Sequence, residues 1–400
     1  MENRNYDDII GNITAAPYIN HLADDFGTSS NHYDVSSSLS LPNYLGLTTG
    51  QTYDSWSGCN KPPQQCSGFV PITSPTVVDS IETSGLTWRA YMEDMPSNCY
   101  RYDYGLYVVR HNPFTYFDHV VSNPSECNLV VPAGTDASRM ISDLNSTITA
   151  PNFMWLTPNL CNDMHNCSVS VGDKYLSRIV PEILNSTIFQ SRRAALFVTW
   201  DEGWGNNATH IPAIWAGPSI RNNYTSLVRH NHYSLLKTLE LVWHLSALTA
   251  NDAQASPMTE FLQPPIISFS YSPSDSKAGQ IVTFNATSRG GTSPYSFHWN
   301  FGDGRIGAGE FVRHTYAISG SFIVSLSVTD TLNNTASATT TIGISASPIL
   351  PSLGPNPLSA LAIPLLGSAT IVVMIGTAAL TVATGMLVTK IRKRNDTNES

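Results

Sequence analysis

The stretch Ala195-Leu-Phe-Val-Thr-Trp-Asp201-Glu202-Gly203-Trp204-Gly205 ends a short apolar, β-rich run on two adjacent carboxylates. Such a run predicts a buried parallel strand, and paired acids at its carboxyl end suit a divalent cation, because loops there are free of the ladder. An Asp-Glu-Gly of this kind also serves as a solvated strand-end turn. Four other places offer reactive side chains. Glu2 and Asn3 stand near the start, where a strand would just have ended, although none precedes them. In Ser36 to Gly50, Pro42 suits a first helical turn, which leaves Ser40 as an N-cap or as a nucleophile facing a helix N-terminus. Arg110 is a planar fork suited to phosphate beside His111, or an ordinary surface arginine. Asp163 and His165, two apart, fit metal ligation, an acid/base pair or a plain polar loop.

The elements that must position these residues follow an α/β pattern from residue 1 to about 260. Trp155-Leu-Thr-Pro-Asn159 ends a second candidate strand, and Pro212 to Pro218 reads as another buried one. His230 and His232 precede a helix-like stretch from Tyr233 to Trp243. Near residue 264 the pattern changes to alternating strands at 281–285, 296–300 and 321–330 with glycine-rich turns, which predicts a small β-sandwich. The run Trp299-Asn-Phe-Gly-Asp303-Gly304, with His314-Thr-Tyr316 and Gly320-Ser-Phe322, resembles the PKD domain, an extracellular immunoglobulin-like module. That resemblance implies a spacer or adhesive role, with cell-surface glycan or protein contacts. Residues 347–359 are a Pro/Ser linker. Residues 361–388 carry no charge and exceed the roughly 20 needed to cross a bilayer. The basic cluster at 390–394 should stay cytoplasmic, which predicts a single-pass membrane protein with residues 1–360 outside.

Composition narrows the function classes. At 400 residues, 42% hydrophobic and 13% charged, the chain suggests two or three domains. A formal net charge of -9, with no basic patch in the long N-terminal part, excludes nucleic acid as the expected partner. Asn-x-Ser/Thr acceptors at Asn12, Asn145, Asn166, Asn185, Asn207, Asn223, Asn285 and Asn333 fit an exported glycoprotein. Six cysteines at 59, 66, 99, 127, 161 and 167 lack a Cys-x-x-Cys pair, so disulfides fit better than zinc. Local pairs (59 with 66, 99 with 127, 161 with 167) are the simplest connectivity; six reduced buried thiols are the alternative.

Taken together, Glu2-Asn3, Ser40-Leu-Pro-Asn43, Arg110-His-Asn-Pro113, Asn159 to His165 and Thr199-Trp-Asp-Glu-Gly203 resemble the phosphoesterase family. That family includes secreted acid phosphatases, phosphatidylinositol-phosphate phosphatases and bacterial phospholipases C, within the alkaline-phosphatase superfamily. The resemblance implies an α/β/α sandwich over residues 1–262; the PKD-like segment then spans 264–346, and the uncharged run and basic cluster give a membrane helix at 360–389 and a tail at 390–400. It implies Ser40 as nucleophile, with Glu2, Asn3, Asp201 and Glu202 holding a divalent metal ion. It further implies His165 as general acid near Asp163, with Arg110 and His111 on phosphoryl oxygens. Many relatives carry His-Pro-Ser where this chain has Ser38-Leu39-Ser40, which leaves Ser37 a second candidate nucleophile. The expected activity is hydrolysis of phosphate monoesters, on small molecules or lipid headgroups. The alternatives are a phospholipase C-type diesterase and a surface adhesin with an inert domain. Only Met1 precedes the first ligand pair and no apolar leader is present, so the sequence predicts a start further upstream, with a signal and a first strand.

Overall fold

A computed structural model describes residues 1–36, 39–59, 61–204 and 209–347. Two sheets carry the α/β region. The first orders β6 (Leu196–Thr199), β7 (Ala213–Ala216), β1 (Gly27–Ser29) and β8 (Tyr224–Ser226). The second is all-parallel, with β3 (Trp88–Met92) between β4 (Val130–Pro132) and β5 (Phe153–Thr157). A short parallel pair joins β2 (His32–Tyr33) to β9 (His230–Asn231).

Helices cover both faces because neighbouring strand residues point oppositely. On β3, Tyr91 enters one core with the Pro17–Asp25 and Val169–Leu184 helices, whose Ile19, Leu22, Leu176 and Ile179 pack there. Ala90 and Met92 enter another with Leu41, Leu45, Val78 and Leu236, from the helices Ser40–Thr49, Val77–Thr83 and His232–Trp243. The mixed α/β expectation holds.

One strand expectation needs correction. The run that ends on Asp201-Glu202 is β6, and it pairs antiparallel with β7 rather than lying parallel among neighbours. Its residues are mostly half-buried. A short apolar run does not distinguish these cases, since the side chains record burial and not the direction of the neighbour.

Residues 266–344 form a β-sandwich. One sheet orders β10 (Ile266–Ser272), β11 (Ile281–Arg289) and β14 (Phe311–Thr315). The other orders β13 (Ile306–Ala308), β12 (Ser296–Asn300), β15 (Gly320–Thr329) and β16 (Thr335–Ile344). Inward residues alternate along the strands, and Trp299, Phe284, Tyr316, Val324 and Leu326 meet in one core.

All six cysteines are paired as the local connectivity predicts: Cys59–Cys66, Cys99–Cys127 and Cys161–Cys167. The expected single-pass membrane location is corrected. Among the described residues no helix is long and apolar enough to cross a bilayer. The apolar run at 361–388 and the basic cluster after it, on which that expectation rested, lie outside the described residues.

Candidate active site

The end of β6 is fixed by the first residues of the chain. The Met1 ammonium donates to the Thr199 carbonyl at 3.1 Å, and the Asp201 N–H donates to the Met1 carbonyl at 2.9 Å. This ladder-like bracket sets Glu2 and Asn3 beside Asp201 and Glu202. Asn3 takes φ +46°, in the left-handed region that asparagine tolerates better than most residues. There its N–H donates to Asp201 Oδ1 at 3.2 Å and its Nδ2 to Glu202 Oε1 at 3.3 Å.

Arg4 then draws in the loop carrying Asp163 and His165. Its guanidinium donates to the carbonyls of Asn3 (2.7 Å), Met164 (2.7 Å) and Cys167 (3.1 Å), and the Cys161–Cys167 disulfide closes the same loop. Glu2 N–H donates to the Asp163 carbonyl at 2.8 Å, and Asp163 Oδ1 accepts from the His165 N–H at 2.7 Å. His111 Nδ1 lies 3.3 Å from Glu2 Oε1 and 3.5 Å from Asp163 Oδ2. Arg110 Nη2 is 3.4 Å from His165 Nε2, while His165 Nδ1 is 2.8 Å from Asn166 Oδ1. A proton on Nδ1 satisfies both contacts.

Ser40 opens the Ser40–Thr49 helix, but its hydroxyl does not cap it. Leu39 occupies the cap position, and Ser40 Oγ instead faces Glu2 Oε2 at 3.3 Å and Glu202 Oε1 at 3.4 Å. Asn43 ties down the preceding turn, accepting from the N–H groups of Val35 (2.9 Å) and Ser36 (3.0 Å). The alternative nucleophile Ser37 lies outside the described residues.

The structure thus brings Glu2, Asn3, Ser40, Arg110, His111, Asp163, His165, Asp201 and Glu202 into one contiguous network. Glu2, Asp163, Asp201 and Glu202 are all essentially buried. Burial first, and then the neighbouring Asp201 and Asp163 charges, push the Glu2 carboxyl well above the usual range. Burial raises Asp201 and lifts Asp163 to about 8, and burial together with Asp201 lifts Glu202 to about 9. Burial and the nearby Arg110 and His165 charges push His111 the other way, so it stays neutral.

This environment fits a divalent cation. Asn3 Oδ1, Asp201 Oδ2 and Glu202 Oε2 are buried without any hydrogen-bond partner, and they are the hard oxygens that Mg²⁺-like or Ca²⁺-like ions take. Glu2, His111 and His165 form a second group whose ligand atoms lie within 4.8 Å of one another. A positive charge would relieve the mutual repulsion of these acids.

Sequence reasoning missed several supports. Tyr44, one turn after Ser40, donates its hydroxyl to Glu2 Oε1; the i, i+4 spacing was the available signal. Asp34 accepts from the Thr209 N–H at 2.7 Å and the Gly203 N–H at 3.5 Å, which holds the loop after Glu202. His232 Nε2 lies 2.5 Å from the Asp201 carbonyl, and burial lowers it to about 4, so it stays neutral. Nothing local in the sequence marks Asp34 or His232 as neighbours of Asp201.

The chain is 28% identical over 261 residues to a phosphatidylinositol-3-phosphatase of Mycobacterium tuberculosis, covering 65% of this chain and 79% of that protein. It is 26% identical over 237 residues to a phosphate-repressible acid phosphatase of Penicillium chrysogenum, covering 56% of this chain and 54% of that protein, so it spans about half the length of that enzyme. Residues 262–345 match the PKD domain. A solved PKD1 domain of Vibrio anguillarum Epp is 26% identical, with 21% of this chain and 98% of that one covered at a TM-score of 0.19. Residues 12–246, more than half of the 400, match the Phosphoesterase family, and the chain belongs to that family.

Proposed function

We propose that this phosphoesterase hydrolyses phosphate monoesters through Ser40 as nucleophile. The observation that carries the assignment is the Ser40 hydroxyl, buried at a helix start and facing two carboxylates at 3.3 and 3.4 Å. A hydroxyl is a weak nucleophile until a neighbouring base takes its proton. Once ionised, the Glu2 or Glu202 carboxylate it touches supplies that base, and Oγ forms a bond to phosphorus while the bond to the leaving alkoxide breaks. His165, which must take up a second proton at Nε2 as that nitrogen turns from Arg110 to the leaving oxygen, gives this proton to the alkoxide. Water then attacks the phosphoserine, returns a proton to His165 and releases phosphate, and Ser40 recovers its own proton from the carboxylate. Arg110, on the same side as His165, offers its fork to the phosphoryl oxygens, and positioning with charge neutralisation is most of what this transfer requires. His111, kept neutral, orients Glu2 and Asp163. A divalent ion held by Glu2, Asn3, Asp201 and Glu202 would neutralise phosphoryl charge at the same place.

The assignment places catalysis in residues 1–262 and gives the PKD domain at 264–346 a spacer or contact role toward glycan or protein. The substrate class is a small phosphate ester or a phosphorylated lipid headgroup. Turnover of p-nitrophenyl phosphate against p-nitrophenyl phosphorylcholine, with and without chelator, tests it. The expected result is hydrolysis of the monoester, lost with chelator and restored by a divalent ion. Preference for the phosphorylcholine diester would move the assignment to a phospholipase C-type reaction, and no turnover of either would leave an inert domain.

A further inference from the structure

The helix that presents Ser40 also holds the carboxylate facing it. Ser40 and Tyr44 lie one turn apart on the Ser40–Thr49 helix, so their side chains leave the same face. Both hydroxyls reach Glu2, Ser40 to Oε2 at 3.3 Å and Tyr44 to Oε1. His111 Nδ1 approaches the same Oε1 at 3.3 Å, and the His111 ring stacks on the Tyr44 ring with centroids 5.5 Å apart and planes 22° from parallel. Glu2 is wholly buried, so the polar groups around it set the orientation of its carboxylate.

We infer that Tyr44 is a positioning residue, whose hydroxyl and stacked ring fix the Glu2 rotamer so that Oε2 is turned toward Ser40. This rests on the assignment of Ser40 as nucleophile for its consequence in rate, but the geometric claim stands apart from it. The hydroxyl engages one carboxylate oxygen and thereby fixes the plane of the carboxylate, which leaves the other oxygen facing Ser40. The ring decides the second coordinate, because its stack on His111 sets where that imidazole meets Oε1. Charge alone would leave the Glu2 carboxylate free to rotate about its last side-chain torsion; the tyrosine restricts that rotation. Groups that orient ligands and bases in this way are commonly worth about 10- to 100-fold in affinity or activity.

Tyr44→Phe separates the two contributions, since it keeps the ring and removes the hydroxyl. Three measurements on the full-length chain decide the matter: the melting temperature, kcat and KM on p-nitrophenyl phosphate, and crystal structures of parent and variant. The expected variant melts close to the parent, loses about 10- to 100-fold in kcat with KM changed by less than about twofold, and shows Glu2 in an altered or mixed rotamer. Tyr44→Leu, which removes the stack as well, should also displace His111. An unmoved Glu2 in Tyr44→Phe, with Ser40 still on Oε2, would overturn the inference whatever the rates. A parent without monoesterase activity would count against the proposed function, while the rotamer comparison would still decide the role of Tyr44.

Discussion

Two strand ends in this chain carry an acid beside glycine, and they have opposite chemistry. After β6 stand Asp201, Glu202 and Gly203; after β12 stand Phe301, Gly302, Asp303 and Gly304. In the sandwich every contact of the acid is matched. Asp303 accepts from the Arg305 N–H at 3.1 Å and from His314 Nε2 at 2.8 Å, and the His314 ring stacks on Phe301 with centroids 4.1 Å apart. Gly302, at φ +82°, sits where a Cβ would meet the Ile323 carbonyl at 2.5 Å, so the turn is built around tight backbone contact. At the end of β6, by contrast, two acids are packed against two more, and Asp201 Oδ2 and Glu202 Oε2 have no partner. A satisfied acid stabilises a turn. Unsatisfied, crowded and buried acids hold free energy that a ligand can release, which makes the β6 end the candidate functional site.

The largest expected effect tests the reactive end of this contrast. Ser40→Ala should lower kcat by about 10³-fold or more, with the melting temperature little changed, because only the oxygen proposed as nucleophile is removed. Near-parental kcat in a monoesterase assay would reduce the β6 end to a turn like the one after β12. Next in size, Asp201→Asn should lower kcat by about 100-fold and bound divalent metal with it. In the metal-free protein the same change should raise the melting temperature, since it removes one of several crowded charges. Calorimetry in chelator checks this, and a lowered melting temperature would break the comparison.

The smallest effect lies in the sandwich. Asp303→Asn should leave turnover within about twofold and destabilise by about 1 to 3 kcal/mol, as expected when a hydrogen bond to a charged group is weakened in a largely covered pair. Although burial opposes it, the hydrogen bond from His314 holds the Asp303 carboxyl below its ordinary value of 3.8. A carboxyl lowered on folding stabilises fully above its unfolded value and loses that contribution as pH falls through the folded one. The parent's advantage over Asp303→Asn should therefore be present above the ordinary value of 3.8 and be lost as the pH falls below it. Melting curves across that range check it; an advantage independent of pH would show that the ion pair is not its source.

Much of the architecture was legible because it is written in short-range patterns. Apolar runs located β5, β6 and β7, the Pro42 signal located the start of the Ser40–Thr49 helix, and alternation with glycine turns located the sandwich. Cysteines 7, 28 and 6 residues apart found one another as local pairs, since short loops close readily. The chemistry-bearing residue types were also visible, because buried acids, an arginine fork and a serine at a helix start are uncommon combinations.

What the sequence could not decide is how those residues face one another. Ser40 and Glu202 are 162 positions apart, and Asn3 and Asp201 are 198 apart. Whether Ser40 caps its helix or faces a carboxylate depends on Glu2 and Glu202 arriving beside it, and no local propensity encodes that. The antiparallel partner of β6, the Asp34 brace on the loop after Glu202 and the hydroxyl of Tyr44 on Glu2 were likewise set by tertiary packing. Local sequence determines backbone shape and burial, through sterics and apolar periodicity. The pairing of polar groups brought together from distant segments determines which acid becomes a turn and which becomes a reactive centre, because their desolvation is compensated, or left uncompensated, only in the assembled fold.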